Sequence, residues 1–484
     1  MHIFDNNIKK GNNYRGDSAL AAKAGFWYIC GNFVGKSITF ITTPIFARVM
    51  SVSDYGEFSN FASWAAILII IVGAELYNTL NRAYYDFKEE FDDYISTVTI
   101  LGCLITLIAY IIFLFYHEFI LKIVLIPERY VHLLFAFLLF SFCKLMYYAR
   151  ERTFYRYKTV AVITSLSLFV PTVISILLVY FLPVGSQLSA RLYGYYVPSA
   201  LIGLYCVTSL FHKRITFKWQ YCRYALFLSI PLLVHNLTAY LLTSTNAMVA
   251  KNILGNEATA VISIAGSTTH LLTVFFQATS GALTTWLMDN LELGREEKAQ
   301  KGISFYVVLL SVITIAVIML SPELIYILGG QKYVAGISLL PGLVFASFVQ
   351  SITTIFSIIL TYDKNVVKAA LYTSIFALLS IIAKVLLLPV YGLLALVYVN
   401  IVAFVALFFI NYFLIKRAGY ANVIFLKGII VTIILTGGCA VLSPLLYEWQ
   451  SLRYLLTGMF LAGCIMIIVF KRNIITKLVN KRET

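Results

Sequence analysis

Charge is scarce in this sequence. Asp, Glu, Lys and Arg make up 12% of its 484 residues, about half the share of a soluble globular chain, which is about 25%. Hydrophobic residues reach 60% and the mean hydropathy is +0.86. One or two soluble cores cannot hide that much apolar surface, so the composition excludes a soluble enzyme and implies an integral membrane protein. Metal-binding spacing is also missing. The seven cysteines are odd in number, six fall inside apolar runs, and neither CxxC nor a Cys/His cluster occurs. That excludes a zinc site and a disulfide framework and leaves small apolar packing residues. Long polar segments are lacking too: none between apolar runs exceeds about 15 residues, which rules out an attached nucleotide-binding or catalytic domain.

What is present is a series of apolar runs, each near the length of about 20 residues that crosses the hydrocarbon. Fourteen are read at 25–47, 59–79, 95–116, 130–148, 159–182, 191–211, 224–250, 258–288, 303–320, 335–360, 367–389, 392–415, 424–446 and 454–470. The first is about twice the length of a signal-peptide core and lacks a small-residue cleavage site, so it is expected to be retained. Trp27, Trp64, Trp286 and Trp449 fall near run ends, as an interfacial aromatic belt requires. Basic residues set the orientation, because short cytoplasmic loops retain Lys and Arg. With both termini inside, cytoplasmic segments hold 27 of the 37 Lys and Arg and outer loops hold seven, among them Arg191 and Arg453. Of the net charge of +15, cytoplasmic segments carry +13, outer loops 0 and the spans +2. The excess is a topology signal, reinforced by the anionic inner leaflet, and not a nucleic-acid footprint.

A shift of 203 residues aligns Ala47-Arg-Val-Met-Ser-Val-Ser-Asp54 with Ala250-Lys-Asn-Ile-Leu-Gly-Asn-Glu257 without a gap. Six spans separate the copies, so both halves enter the membrane in the same direction, as in parallel-repeat transporters with a site between the halves. The expected organisation is a cytoplasmic tail over 1–24, an N-lobe of six spans over 25–211 and a C-lobe of six over 224–415. Two extra spans over 424–470 and a cytoplasmic tail over 471–484 complete it.

Ionisable groups inside spans cost roughly 2.5–3.5 kcal/mol each at mid-depth and are functional candidates by default. Lys36 sits near the middle of the first span, on a stripe with Tyr28, Asn32, Thr39 and Thr43 at helical spacing. Such a stripe faces protein or water rather than lipid, either as a packing pair or as a cation lining a cavity. A second stripe in the eighth span carries Ser263, Ser267, His270, Gln277, Ser280 and Thr284. The seventh adds His235, Asn236 and Asn246, and the 203-residue shift sets His235 on Asn32 and Asn246 on Thr43. Each polar residue alone is explained as helix–helix glue; their convergence at the repeat interface argues for a hydrated cavity. Glu75, Lys144 and Lys384 lie nearer span ends and are candidates for ion coupling or for snorkelling. Ser347, Ser351, Thr354 and Thr361 in the tenth span read as packing.

Gly31-Asn-Phe-Val-Gly35-Lys36-Ser37 is one residue short of a phosphate-binding loop and lies inside an apolar helix with no preceding strand, so no ATP site is expected. Neither is a metal or another cofactor; a proton or ion gradient would drive any uphill step. Asn236-Leu-Thr238 matches a glycosylation sequon but falls inside a span.

The first span followed by Arg48-Val-Met-Ser-Val-Ser-Asp54-Tyr55-Gly56-Glu-Phe resembles the opening of bacterial polysaccharide-exporting flippases of the O-antigen and capsule type. These belong to the multidrug/oligosaccharidyl-lipid/polysaccharide exporter superfamily. Pro231 through Gly255, Ile325 through Tyr333 and Gly392-Leu-Leu-Ala-Leu look similar in turn, so the resemblance covers most of the chain in order. It implies an all-α polytopic fold of about 14 transmembrane helices, with two parallel six-helix lobes around a central cavity plus two C-terminal helices. It implies a bacterial inner-membrane location and a substrate, an oligosaccharide repeat unit on undecaprenyl diphosphate, moved from the inner to the outer leaflet. A polysaccharide polymerase and a chain-length regulator would be partners, alongside membrane lipids. Asn246 departs from the pattern, standing where many relatives would carry an acid, which leaves the seventh span without a coupling carboxylate.

The physics of the substrate agrees. A sugar-diphosphate headgroup loses its water on entering hydrocarbon, and a polar cavity replaces that water while the polyprenyl tail stays in lipid. Lys36 would meet the diphosphate, with Asn32, Thr39, Thr43, His235, Asn246, His270 and Gln277 contributing hydrogen bonds. A drug or small-cation exporter of the same superfamily is the main alternative, and a peptidoglycan-precursor flippase the second. A deep intramembrane acid would favour the exporter, but the deep sites here are basic or neutral. A membrane-embedded ligase or polymerase would need a large outer loop, and none is present.

Overall fold

Apolar runs this long cross a bilayer only with their backbone N–H and C=O groups paired internally, as helices or closed barrels. The computed structural model describes residues 38 and 40–463 apart from 155, 184, 212–214 and 364–365. Among the described residues there are helices and no strand. Eleven helices are long and apolar enough to cross a membrane: Val52–Gly73, Phe91–Phe115, Glu128–Thr153, Lys158–Phe181, Trp219–Leu242, Asn256–Gly281, Glu296–Met319, Leu340–Tyr362, Lys368–Tyr391, Leu394–Arg417 and Leu426–Leu446. The chain is an all-α, multi-pass membrane protein. Helix Gln187–Leu210, at 24 residues, answers the sixth apolar run with a more polar composition. Phe40–Val49 and helical residues 450–463 are the described parts of the first and last runs.

The structure departs from the expected runs where side chains or turns compete with the helix. Val52–Gly73 starts on Ser51, whose hydroxyl accepts the Asp54 N–H at 3.0 Å, with Asp54 in the favourable first turn. It ends at Gly73, short of the expected 79, because Ala74 and Glu75 take φ of 45° and 54°. Two consecutive non-glycine residues in the left-handed region cannot continue a right-handed helix. The run 224–250 is broken at Thr245, between helices Trp219–Ser244 and Asn246–Leu254. Thr243, Ser244, Thr245 and Asn246 form a polar run there, and the Thr245 hydroxyl donates back to the Leu241 carbonyl at 3.0 Å. By contrast, helix Asn256–Glu292 runs for 37 residues, about 55 Å at 1.5 Å per residue, beyond the thickness of a hydrocarbon core. Arg191 and Arg453, expected in outer loops, both lie in helices.

The chain divides into two units, Met1–Ser263 with Thr373–Leu393, and Ile264–Tyr372 with Leu394–Thr484. In the first, helices Val131–Thr153, Tyr157–Phe181 and Gln187–Leu210 pack against one another. Gly194 permits the closest approach: a Cβ there would stand 2.6 Å from the Ser175 Cα, a packing that only a small residue allows. At one end of this unit Lys218 bridges Glu90 at 2.6 Å and Asp93 at 3.0 Å. The hydrogen bond from Lys218, with that from Tyr221, holds the Glu90 carboxyl below the usual carboxylate range.

In the second unit Leu340–Tyr362 is the central helix. Val344, Phe348, Ile352, Ile355, Phe356 and Ile359 are fully buried, and the Phe356 and Phe408 rings stack at 5.2 Å. Helices Glu296–Met319, Leu394–Arg417 and Leu426–Leu446 surround it. Its hydroxyls serve the backbone: Ser347, Ser351, Thr354 and Thr361 each donate to the carbonyl four residues earlier, a packing arrangement without free donors.

Candidate functional site

Helix Val366–Tyr391 separates its faces at helical period. Leu371, Ile375, Leu378, Leu379, Ile382, Val385 and Leu386 are exposed, whereas Ala377, Ser380, Lys384 and Leu388 are buried. Lys384 therefore points into the first unit and is fully enclosed. Its ammonium donates to the Thr245 hydroxyl at 3.1 Å, and no carboxylate meets it among the described residues. The partner sits at the helix break, next to Asn246, so two sequence candidates more than 130 residues apart share one junction. Nearby along the same pair of helices Ser374 donates to Thr238 at 3.1 Å. His235, one turn before Thr238, keeps a buried Nδ1 without a hydrogen-bond partner among the described residues.

Lys144 has the same chemistry. It is half-buried and donates to the Ser199 hydroxyl at 3.0 Å. Glu75 is buried in the left-handed turn that ends helix Val52–Gly73 and accepts a hydrogen bond from Asn78. Thr43, on helix Phe40–Val49, is buried. All of these belong to the first unit. His270 and Gln277 belong to the second unit, on exposed positions of helix Asn256–Glu292. Asn32, Lys36 and Thr39 lie outside the described residues. Further along that long helix, Ser280 donates to the Gln277 carbonyl and Thr284 to the Ser280 carbonyl.

The two copies of the sequence repeat meet inside the first unit. Asn256 donates to Ser53 at 3.0 Å, and these residues are 203 apart, the repeat offset itself. Lys251 closes the contact through Glu57 at 2.5 Å and through Asn256. Gly56 makes it possible: a Cβ at that position would fall 1.9 Å from the Asn256 carbonyl oxygen. Gly56→Val is therefore expected to cost about 1–3 kcal/mol by overpacking, read as a lower unfolding midpoint of the detergent-solubilised protein. An unchanged midpoint would show that the Ser53–Asn256 contact is not part of the stable fold.

Arg191 is the residue that the sequence reading passed over. It lies on the second turn of helix Gln187–Leu210, with its guanidinium carbon 3.0 Å from the Phe46 ring centre and 4.2 Å from that of Phe58. The available signal was a cation followed at i+4 by Tyr195 within an apolar run. Three of the cations on helices of the first unit, Lys144, Arg191 and Lys384, share one kind of surroundings. Among the described residues their partners are hydroxyls and aromatic faces. Cations buried without a carboxylate retain most of their attraction for an incoming anion.

Comparison with solved structures places the fold. The lipid II flippase MurJ in its inward closed conformation matches with a TM-score of 0.70 at 14% identity, over 92% of this chain and 99% of that one. The inward-facing conformation of a multidrug resistance MATE family transporter of the MOP superfamily matches at 0.62 and 16% identity, over 79% and 95% of the two chains. The outward-facing conformation of such a transporter matches at 0.54 and 16%, over 82% and 96%. No curated protein sequence matches the chain. The family model described as polysaccharide biosynthesis protein matches residues 21–287. That segment is more than half of the sequence, and the chain belongs to this family.

Proposed function

We propose that the protein carries undecaprenyl-diphosphate-linked oligosaccharide repeat units, of O-antigen or a similar surface polysaccharide, from the inner to the outer leaflet by alternating access. The observation that carries this reading is the charge of the first unit, in which Lys144, Arg191 and Lys384 have neutral or aromatic partners among the described residues. An anionic headgroup is attracted by such a unit, and a cationic drug is repelled. Family membership and the fold of lipid-linked and drug transporters support the same class of activity. Lys36 meets the diphosphate as a compact point charge, and Asn32, Thr39, Thr43, His235, Asn246, His270 and Gln277 supply hydrogen bonds to sugar or phosphate oxygens. The tail remains in lipid, and the chain works in the bacterial inner membrane with both termini cytoplasmic. A polymerase and a chain-length regulator take over the delivered unit.

Deleting the gene tests the reading. Lipid-linked repeat units are expected to accumulate on the inner leaflet while surface glycan disappears. Unchanged glycan with altered drug sensitivity would overturn it in favour of a drug exporter. The match to the lipid II flippase favours one second reading, transport of the peptidoglycan precursor, and under that reading the deletion is lethal.

A further inference from the structure

The Arg191 backbone is fixed from below. The Ser175 hydroxyl donates to the Arg191 carbonyl at 3.1 Å, and at Gly194 the two helices approach too closely for a Cβ. The guanidinium carbon lies over the ring of Phe46, which is fully buried, and over that of Phe58. Aromatic faces satisfy the flat faces of a guanidinium, not its rim, where its five N–H donors lie in the plane. At that rim, Nε is buried without a hydrogen-bond partner. Among the described residues no carboxylate, hydroxyl or carbonyl pairs with the group, yet part of the residue is accessible. A structural arginine in such a place is ordinarily satisfied by an acid or by backbone carbonyls. This one lies against two rings, and among the described residues its guanidinium makes no hydrogen bond.

We propose that Arg191, held against Phe46 and Phe58, is an oxyanion-recognition site whose guanidinium receives phosphate or carboxylate oxygens of the carried substrate. The inference rests on the lipid-linked oligosaccharide reading and adds to it a specific contact distinct from Lys36. Planar, two-pronged recognition suits both phosphate and carboxylate, so the ligand oxygens come from the carrier diphosphate or from an acidic sugar. The rings give the site its selectivity: a neutral hydroxyl gains little from a pre-oriented cation, whereas an oxyanion pays no ordering cost for the fork it meets.

The test uses the full chain in lipid nanodiscs, with undecaprenyl diphosphate, undecaprenol and a glucuronic-acid disaccharide as probes of ligand-induced thermal stabilisation. The wild type is expected to be stabilised by at least one anionic probe and not by undecaprenol. Arg191→Met, which removes an unpaired buried charge for an apolar chain of similar size, is expected to keep or raise the midpoint of the empty protein. It should weaken the anionic probe about tenfold to a hundredfold, the value of one charge-assisted contact. Loss confined to undecaprenyl diphosphate assigns the site to the carrier; loss confined to the disaccharide assigns it to an acidic sugar. Arg191→Lys keeps the charge without the fork and is expected to bind several-fold more weakly than wild type, a reading that stands even where the methionine variant does not fold. Equal affinity in wild type and variants, or a wild type that neither anionic probe stabilises, overturns the proposal. Both outcomes are independent of the deletion experiment, which reads export in cells: anion binding weakened in the Arg191 variants beside unchanged surface glycan in the deletion strain would retain the Arg191 site and remove the export reading, and the converse pattern the reverse.

Discussion

Arg453→Ala is expected to destabilise the protein by about 1–3 kcal/mol, the cost of leaving hydrogen-bonding groups of a part-buried ion pair without their donor. Arg453 is fully buried, and its two terminal nitrogens engage both oxygens of Glu323, one of them at 3.0 Å. One of those nitrogens also donates to the Met319 carbonyl at 2.9 Å. Tyr454 adds a hydrogen bond to the same carboxylate at 2.6 Å, and Tyr447 donates to the Ile318 carbonyl at 2.8 Å. The Arg453 bonds join the last described helix to the Met319 carbonyl and to Glu323 on helix Ser321–Leu328, about 130 residues away in sequence. Truncation leaves the Glu323 carboxylate with Tyr454 in place of three side-chain hydrogen bonds, and the Met319 carbonyl without the donor from Arg453. Glu323→Gln alone should cost less, because the amide still accepts from Arg453, and a double-mutant cycle measured by SDS-driven unfolding should return a coupling above about 1 kcal/mol. Additive effects would show that the pair carries no specific energy.

The same pair sets a pH dependence. Burial works to raise the Glu323 carboxyl, but the hydrogen bonds from Tyr454, the backbone and Arg453 outweigh it and leave the group below its ordinary range. A carboxyl lowered on folding stabilises the fold fully above its unfolded pKa, about 4.3, and loses that contribution as the pH falls through the lower folded value. Acid sensitivity in that window should therefore diminish in Glu323→Gln.

Much of the fold was legible because membrane spans are written as composition. Hydropathy located the helices but not their breaks. Nothing in the run 59–79 announces that Ala74 and Glu75 turn left-handed, whereas the Thr-Ser-Thr-Asn run at 243–246 does carry a reason for the break at Thr245. Ser53 and Asn256 are in contact and stand 203 residues apart, the separation that aligns the two sequence segments. Which face of a helix turns inward was harder. On Val366–Tyr391 the exposed leucines and isoleucines are as apolar as the buried face, since lipid and protein interior select the same residues, and only Lys384 betrays the inner side. Arg191 was lost for a related reason: a cation near the end of a run lowers the hydropathy of its window and draws the apparent boundary to itself, so an arginine on the second turn of helix Gln187–Leu210 reads as a loop residue.

Lys36→Ala is expected to abolish surface polysaccharide while leaving the amount of protein in the membrane unchanged. Lys36 lies outside the described residues, so the argument is one of sequence and energy. A lysine near mid-span costs roughly 2.5–3.5 kcal/mol on insertion, and its helical stripe with Asn32, Thr39 and Thr43 keeps it from lipid. If that cost served packing alone, alanine would strand a buried partner, and protein level and export would fall together. If Lys36 meets the diphosphate, alanine relieves the insertion cost and removes a charge-assisted contact of about 1.5–3 kcal/mol, which is about tenfold to a hundredfold in affinity. Protein level then holds, glycan is lost and lipid-linked units accumulate on the inner leaflet. Lys36→Arg, which keeps the charge but replaces a compact ammonium with a broad fork, should retain part of the export. Normal surface glycan in the alanine variant at normal protein level would remove Lys36 from the diphosphate site and leave recognition of the anion to the cations of the described helices, Lys144, Arg191 and Lys384.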